Sequence, residues 1–588
     1  MKLSKYIENY FPDCDSTSAF QLSTEFNFPV KNDLSSIFSW PPNVFLILYT
    51  LCEYTDKYRL MVSPQKHFAW DKNDRADSLI LAEEWKCFLE NASLGNVTYR
   101  LFSSGNNQSN NFHSLQNELA NVFSPINLNR NIYDLLNDSS FSKSAFKLLI
   151  SVDELFCGIN ICDYTFKSAL SFWLLLRTGM LKNSVASGAD AISSPNLADN
   201  NAQFGFVTFK TSVPQTGLTI NNLSHNLTVI KPSVKPRVIA NKLINASFDK
   251  KSYNILFLPW PLEVESESFR QSKNKQIYMD DYFDFFDYSP TNEIKIPHFY
   301  SSLISTIERV GKIDLIVLPE CAINDKMFNR LKEILFDCFG ENSPSLLAGI
   351  YGDDKDNSCA KNAAMLAFVG EARSFDSVEQ KKHHRWFLDR SQLRAYNLSG
   401  ALDPGKKWWE NISVDRRNLL IVHTLDGVRL CPLICEDLAR QEPVAQAVRA
   451  TGPNLVVSLL LDGPQLKGRW PGKYSAVLSD DPGASVFSVT ALGMTMRSTG
   501  LGDSPSRGVA LWSEPNNGSE TLELADNGIG IIVELEICEH DMWSLDGRIK
   551  KKPVLRKKFH SSIPLEFEAP VSYLKAKLEK TIRNGGKK

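Results

Sequence analysis

Tyr253–Trp260 reads YNILFLPW, His298–Gly311 HFYSSLISTIERVG, Ile313–Glu320 IDLIVLPE, Phe328–Gly340 FNRLKEILFDCFG and Ser345–Tyr351 SLLAGIY. The first, third and fifth segments are short apolar runs, while the second and fourth carry apolar residues at helical spacing. Strands alternating with helices predict an α/β layered fold. The pattern continues through NAAMLAFVG (362–370), NLLIVHTLDG (418–427), VRLCPLICEDLA (428–439), PNLVVSLLLDG (453–463) and SVFSVTAL (485–492). Helices are expected over Glu442–Ala450 and near Tyr474–Leu478. Runs such as LIVLP and LVVSLLL are apolar on both faces, as in strands of a sheet covered on both sides.

Upstream the pattern differs. Ile132–Phe156 and Phe166–Leu181 have helix-like apolar spacing, with Leu135, Leu136, Phe146, Leu148 and Leu149 among the repeating positions, so residues 1–240 are expected to be mainly helical. Ser103–Ser114, SSGNNQSNNFHS, is too polar to bury and reads as an exposed loop. A second polar segment, Lys182–Asn201, leads through FGFVTF (204–209) and SVPQTGLTI (212–220), which read as short strands. A Pro-rich connector at Lys231–Arg237 follows, and the domain boundary is expected between Pro232 and Lys251. The α/β domain then covers 251–565, and 566–588 reads as a basic tail.

The chain has 588 residues, 43% hydrophobic and 22% charged, which suits a soluble globular protein of more than one domain. Its net charge of -2 gives no global basic excess to point to nucleic acid or an anionic membrane. The N-terminus, MKLSKYIENYFPDC, lacks the apolar core of a secretory signal. Val44–Cys52 and Leu170–Leu176 are far shorter than the roughly 20 residues a bilayer span requires, so both read as buried segments and no membrane partner is expected. Eleven cysteines without zinc-ribbon or disulfide-framework spacing suggest a reducing cytoplasm and no metal site. Cys431 and Cys435 lie about 13 Å apart along an extended strand, too far to bridge.

Two strand ends carry polar residues where α/β folds place active sites: Glu320 after IDLIVLP, and Cys435-Glu436-Asp437 after LCPLI. Each has an ordinary structural reading as well. A Glu after a strand can open a helix, and a Cys closing an apolar strand can be inert filler.

Taken together, LPECA (318–322), KKHHRW (381–386), PLICEDLA (432–439) and GPNLVVSLL (452–460) resemble the nitrilase superfamily, whose members act on amides and nitriles through a Glu-Lys-Cys triad. ICED is similar to the glutaminase domains of NAD synthetases. The resemblance spans Tyr253 to about Leu535 and implies an α-β-β-α sandwich that pairs into oligomers. It makes Cys435 the nucleophile, Glu320 the general base and Lys382 the stabiliser of the tetrahedral intermediate, with the Glu436 N–H completing the oxyanion hole and no cofactor. Lys381 adjoins Lys382, and only one of them can face the site from an extended segment. A second carboxylate is expected between Lys and Cys; Asp389 is taken first, with Glu410 the other candidate.

Longer strings, HHRWFLDRSQLRAYNL (383–398), WWENI (408–412), LICEDLAR (433–440), LSDDPGASV (478–486) and LGMTMRS (492–498), look like nitrilase-like portions associated with bacterial antiphage reverse transcriptases, as do WPPNVF (40–45) and VPQTGLTINNLSHNL (213–227). This implies a carbon-nitrogen hydrolase of small amides or nitriles in phage defence, or alternatively a catalytically degenerate scaffold that assembles with a reverse transcriptase.

YMDD at Tyr278–Asp281 copies the metal-binding string of polymerase palms. It lies in QIYMDDYFDFFDYSPT, without the apolar hairpin a palm needs, and reads as an acidic aromatic loop. Gly463–Gly468 copies the glycine spacing of a phosphate loop, but Arg469 and Trp470 replace the required Lys and Ser/Thr. His383 and His384 read as solvated surface.

Overall fold

The computed structural model describes all residues except 28–30, 64–67, 95–111, 160–167, 184–195, 232–234, 242–250, 274–278, 354–358, 370–374, 415–417, 425–426, 566–568 and 586–588. The chain forms two compact units: Met1–Pro236 with Arg449–Gly452 and Asp541–Lys552, and Arg237–Val448 with Pro453–His540 and Pro553–Lys588. Among the described residues, no helix is long and apolar enough to cross a membrane.

In the first unit the longest helices are Pro41–Thr55, Lys72–Asn91, Ser139–Leu155 and Ala169–Asn183. Val44–Cys52 is buried within the first of these. Most of the expected polar loop at Ser103–Ser114 lies outside the described residues, but His113 and Ser114 begin a helix, His113–Val122. Leu115, Leu119 and Val122 are buried there, at spacings of one and two turns, and this apolar face overrides the polar start. SVPQTGLTI is not a strand. The Pro214 carbonyl bonds the Gln215 and Asn222 side chains rather than a ladder, and Gly217 turns the chain at φ +72°. In the expected connector, 232–234 lie outside the described residues and Lys235–Asn241 is a strand.

Two seven-stranded sheets make up most of the second unit, with the ends of three strands falling within the first unit's residues. Their strands, in chain order, are β1 Lys235–Asn241, β2 Ser252–Phe257, β3 Leu315–Asn324, β4 Ser345–Asp353, β5 Ala360–Val369, β6 Phe375–Lys381, β7 Asn418–Thr424, β8 Arg429–Ile434, β9 Leu455–Leu460, β10 Ser485–Thr490, β11 Gly508–Glu514, β12 Gly518–Glu523, β13 Gly528–Trp543 and β14 Ile549–Pro564. One sheet has the order β6-β5-β4-β3-β2-β13-β14, the other β12-β11-β10-β9-β8-β7-β1. Each has parallel strands at its centre, β2, β3 and β4 in the first and β8, β9 and β10 in the second, with antiparallel strands outside them.

Period-2 alternation assigns the side chains to layers. Ile255 and Phe257 of β2, Leu315 and Val317 of β3, and Val457 and Leu459 of β9 meet in the core between the sheets. Leu256, Ile316 and Leu318 face the other way, onto helices Ile296–Val310 and Asp325–Phe339. On the far side of the second sheet, helix Trp470–Asp480 packs on β10 through a Ser475–Ser488 hydroxyl bond of 2.9 Å. The result is helix, sheet, sheet, helix: the α/β class, with both faces of each sheet covered. Residues expected as a basic tail instead form helix Val571–Gly585, whose Leu574 and Leu578 are buried on the first helical layer.

Candidate active site

β3 does not end at Glu320. Its pairing with β4 slips between Ala348, opposite Leu318, and Ile350, opposite Ile323, so Pro319–Ala322 bulge against the single residue Gly349. A methyl group on Gly349 would meet Pro319 O at 2.3 Å and the Glu320 Cα at 2.4 Å. Cys321 holds φ +50°, a sparsely populated conformation for a residue with a side chain. This bulge presents the Glu320 carboxylate to three donors. Oε1 accepts from Lys382 Nζ at 2.8 Å and Asn362 Nδ2 at 2.7 Å, and Oε2 accepts from the Leu461 N–H at 2.6 Å.

Lys382 continues the line of β6, its N–H bonded to the Asn362 carbonyl at 3.0 Å. Its side chain is wholly buried, whereas Lys381 is partly exposed. Gln380, two residues earlier, stitches the sheets together: its amide donates to Pro432 O at 2.8 Å on β8 and accepts from the Leu420 N–H at 2.7 Å on β7. That bond fixes the lysine strand against the strand leading to Cys435.

The second carboxylate at Lys382 is Glu410, not Asp389. Glu410 ends strand Lys407–Glu410 and accepts from Lys382 Nζ at 2.6 Å, from Asn362 Nδ2 and from the Trp386 N–H at 3.0 Å. Asp389 caps helix Arg390–Ala395, accepting from the Gln392 N–H at 2.9 Å while its own N–H donates to Gln392 Oε1. That reciprocal pair occupies it.

Cys435 follows β8 at φ +45°, is 1% exposed and opens the turn Cys435–Leu438. Both it and Cys431 are free thiols. The Glu436 N–H lies in the first turn after it, where amide groups lack intrahelical acceptors, and the Glu436 side chain pairs with Arg440. Asp437 is buried and ties the Cys435 turn to the lysine segment. It accepts from the backbone N–H groups of His383 and His384 and pairs with their Nδ1 atoms at 3.2 and 2.8 Å. The histidines read as solvated surface are therefore partners of a buried carboxylate, and His383 is itself buried.

Burial raises the Glu320 carboxyl above its ordinary value, against the pull of Lys382 and with the Glu410 charge adding to the rise. Burial alone would lower Lys382; the Glu320 and Glu410 carboxylates outweigh it and push its ammonium well above the ordinary value. The Cys435 thiol is pushed up, first by burial and then by Glu320, with Lys382 opposing. These mutual effects put Cys435, Glu320, Lys382 and Glu410 in one electrostatic cluster. Burial would also raise Asp437, but the two histidines hold it below the ordinary carboxylate range.

The fold pairs Glu320 with Lys382, both named from the sequence, and sets Cys435 within their electrostatic reach. Asn362, Gly349, Gln380, the Leu461 N–H and the bonds of Asp437 to His383 and His384 were not read from the sequence. The Met279–Asp281 part of YMDD is an exposed turn, and Tyr278 lies outside the described residues. Among the described residues, no group of three or more His, Cys, Asp or Glu side chains is placed to hold a metal ion.

No protein-family model and no curated protein matches the chain. Solved structures similar to it include members of the nitrilase, or CN-hydrolase, superfamily. Saccharomyces cerevisiae Nit3, of branch 10 of that superfamily, is 13% identical over 54% of this chain and 93% of its own, with a TM-score of 0.26. A CN-hydrolase superfamily protein of Xanthomonas campestris is 10% identical over 58% and 98%, TM-score 0.24. A glutamine-dependent NAD(+) synthetase of Cytophaga hutchinsonii is 10% identical over 53% and 43%, TM-score 0.21.

Proposed function

We propose that residues 253–535 form a carbon-nitrogen hydrolase that cleaves small amides, or nitriles, through a thioester on Cys435. The observation that carries this reading is the buried Glu320–Lys382–Glu410 cluster with Asn362, set beside a cysteine held at positive φ. Backbone strain and buried charge concentrate at sites where chemistry needs them.

The raised Cys435 thiol has a chemical consequence. Two carboxylates already face one ammonium, so a standing thiolate would add a further uncompensated charge. Proton transfer to Glu320 as sulfur attacks the amide carbon leaves the total charge unchanged. The oxyanion then faces Lys382 Nζ and the Glu436 N–H. Collapse expels the amine with the proton from Glu320, leaving the thioester. Water, deprotonated by Glu320, attacks it, and sulfur leaves, recovering the proton. The proton that leaves with the amine comes from the Cys435 thiol through Glu320, and the attacking water restores it in the second half of the cycle.

The buried state of Cys435 favours a second reading: a scaffold that keeps the fold with an inert thiol and assembles with a reverse transcriptase. The first reading is our conclusion, and the sequence resemblance extends it to phage defence. Peptide mapping after iodoacetamide treatment separates the two, because Cys87 and Cys157 are exposed and label in either case. Modification of Cys435 in folded protein, with ammonia release from amides lost in Cys435→Ala, is the expected outcome. A folded protein whose Cys435 stays unmodified would favour the scaffold.

A further inference from the structure

β8 and β9 run parallel with Ile434 opposite Leu459, so Cys435, just past β8, and Asp462, just past β9, leave the sheet at the same edge. Neighbouring strands lie roughly 4.8 Å apart, so carboxylate and thiol share one rim of the sheet. Leu461, the residue before Asp462, gives its N–H to Glu320. After burial, Glu320 and Lys382, Asp462 is the next group acting on the Cys435 thiol.

Asp462 is held in place from several sides. Its N–H donates to Thr490 Oγ1 at 3.2 Å, and the Thr490 hydroxyl donates to its carbonyl at 2.7 Å. Its Oδ1 accepts from the Tyr396 hydroxyl and from Arg469 Nη2 at 3.0 Å. Yet Oδ2 is buried with no hydrogen-bond partner among the described residues, in a residue only 3% exposed. Buried polar atoms are nearly always paired, and an acceptor left open on a fixed side chain beside a nucleophile is suited to a donor arriving with the substrate. Around the thiol, among the described residues, the Glu320 and Glu410 carboxylates pair with Lys382 and the Asp462 carboxylate pairs with Arg469, three carboxylates to two cations. An incoming cation relieves that imbalance and an anion worsens it.

We propose that Asp462 Oδ2 is a recognition point for a cationic N–H donor, so that the site takes small amides bearing an ammonium group. This inference rests on the hydrolase reading and specifies its substrate class. The test is titration calorimetry of Cys435→Ala, which cannot turn substrate over, with glycinamide against propionamide and 4-aminobutanamide against pentanamide. Each pair exchanges an ammonium for a methyl group. At least one cationic amide is expected to bind tenfold or more tightly than its neutral twin, and Asp462→Asn in the same background is expected to remove that preference. Equal binding within both pairs, as when Oδ2 merely holds an ordered water, overturns the proposal. So does the absence of any binding by the cationic amides, or a preference that survives Asp462→Asn in protein that melts like its parent. The ammonium–methyl comparison stands even if the Asn variant fails to fold. Iodoacetamide modification of wild-type Cys435 is read separately: a modified thiol without cation preference sinks the subsite alone, and an unmodified one in folded protein sinks the hydrolase reading.

Discussion

Glu410 sets the charge state in which the site waits. It shares Lys382 Nζ and Asn362 Nδ2 with Glu320, and its charge helps to hold the Glu320 carboxyl above the ordinary range. The general base of the proposed mechanism, Glu320, works only when ionised, so kcat/KM is expected to rise with pH through its value, with an acid limb above the roughly 4.3 of a free Glu. Glu410→Gln removes one negative neighbour and leaves Lys382 to Glu320, so this limb should move to lower pH while kcat falls by about 10²-fold or more. An unshifted limb would show that Glu410 does not act on Glu320. Asp389→Ala should leave the profile in place and cost about 1 kcal/mol of stability, as loss of an N-cap does, measured by urea unfolding. The two acids look alike as members of one sequence, but the capping-box spacing of Asp389 and Gln392 was a legible sign that the first was already engaged. Nothing local marks Glu410, because its role depends on strand Lys407–Glu410 lying beside Phe283–Tyr288, more than a hundred residues upstream.

A bulge and a glycine turn the Glu320 carboxylate out of an otherwise apolar strand. Pro319–Ala322 fit opposite Gly349 only because that residue lacks a Cβ. Gly349→Ala must push the bulged backbone away or break the β3–β4 ladder, so a loss of about 1–3 kcal/mol or more is expected, in the range of overpacked cores. Because the displaced atoms include the Glu320 Cα, Cys435-dependent turnover should fall by more than the stability loss explains. A variant with full turnover per folded molecule would mean that the bulge does not aim the carboxylate. At this scale the central strands were legible, since β3 and β9 are apolar on both faces and only a covered sheet accepts that. The bulge was not, because LPECA reads locally as a strand end and the opposing glycine lies some thirty positions on. The helix at Val571–Gly585 was hidden for another reason: its lysines and arginine drew the reading to charge, while its packing face is the short row Leu574, Leu578 and Ile582.

Across the whole molecule, each unit contains a buried carboxylate held below its ordinary value. In one unit it is Asp437, between His383 and His384. In the other it is Asp153, which accepts backbone N–H groups from His225, Asn226 and Leu227 and pairs with Arg548 at 2.9 Å. Burial alone would raise the Asp153 carboxyl, but the Arg548 charge and these amides outweigh it. A carboxyl depressed in the folded state gives stability that is fully present above its unfolded value, about 3.9 for Asp, and is lost as pH falls below that towards the folded value. Glu320, raised in the folded state, has the opposite sign: its ionisation opposes folding, and protonation relieves that as pH falls. With depressed carboxyls in both units and Asp138 and Glu514 also lowered, the acid-labile side should prevail. Urea midpoints are therefore expected to hold steady from pH 8 to 6 and to fall steeply below about pH 4. Asp153→Asn should be less stable at pH 7, because Arg548 is left with less compensation in a buried setting, and its midpoint should fall more shallowly in acid. A wild-type midpoint that stays flat or rises between pH 5 and 3 would mean that these carboxylates are not held in their ionised form by the fold.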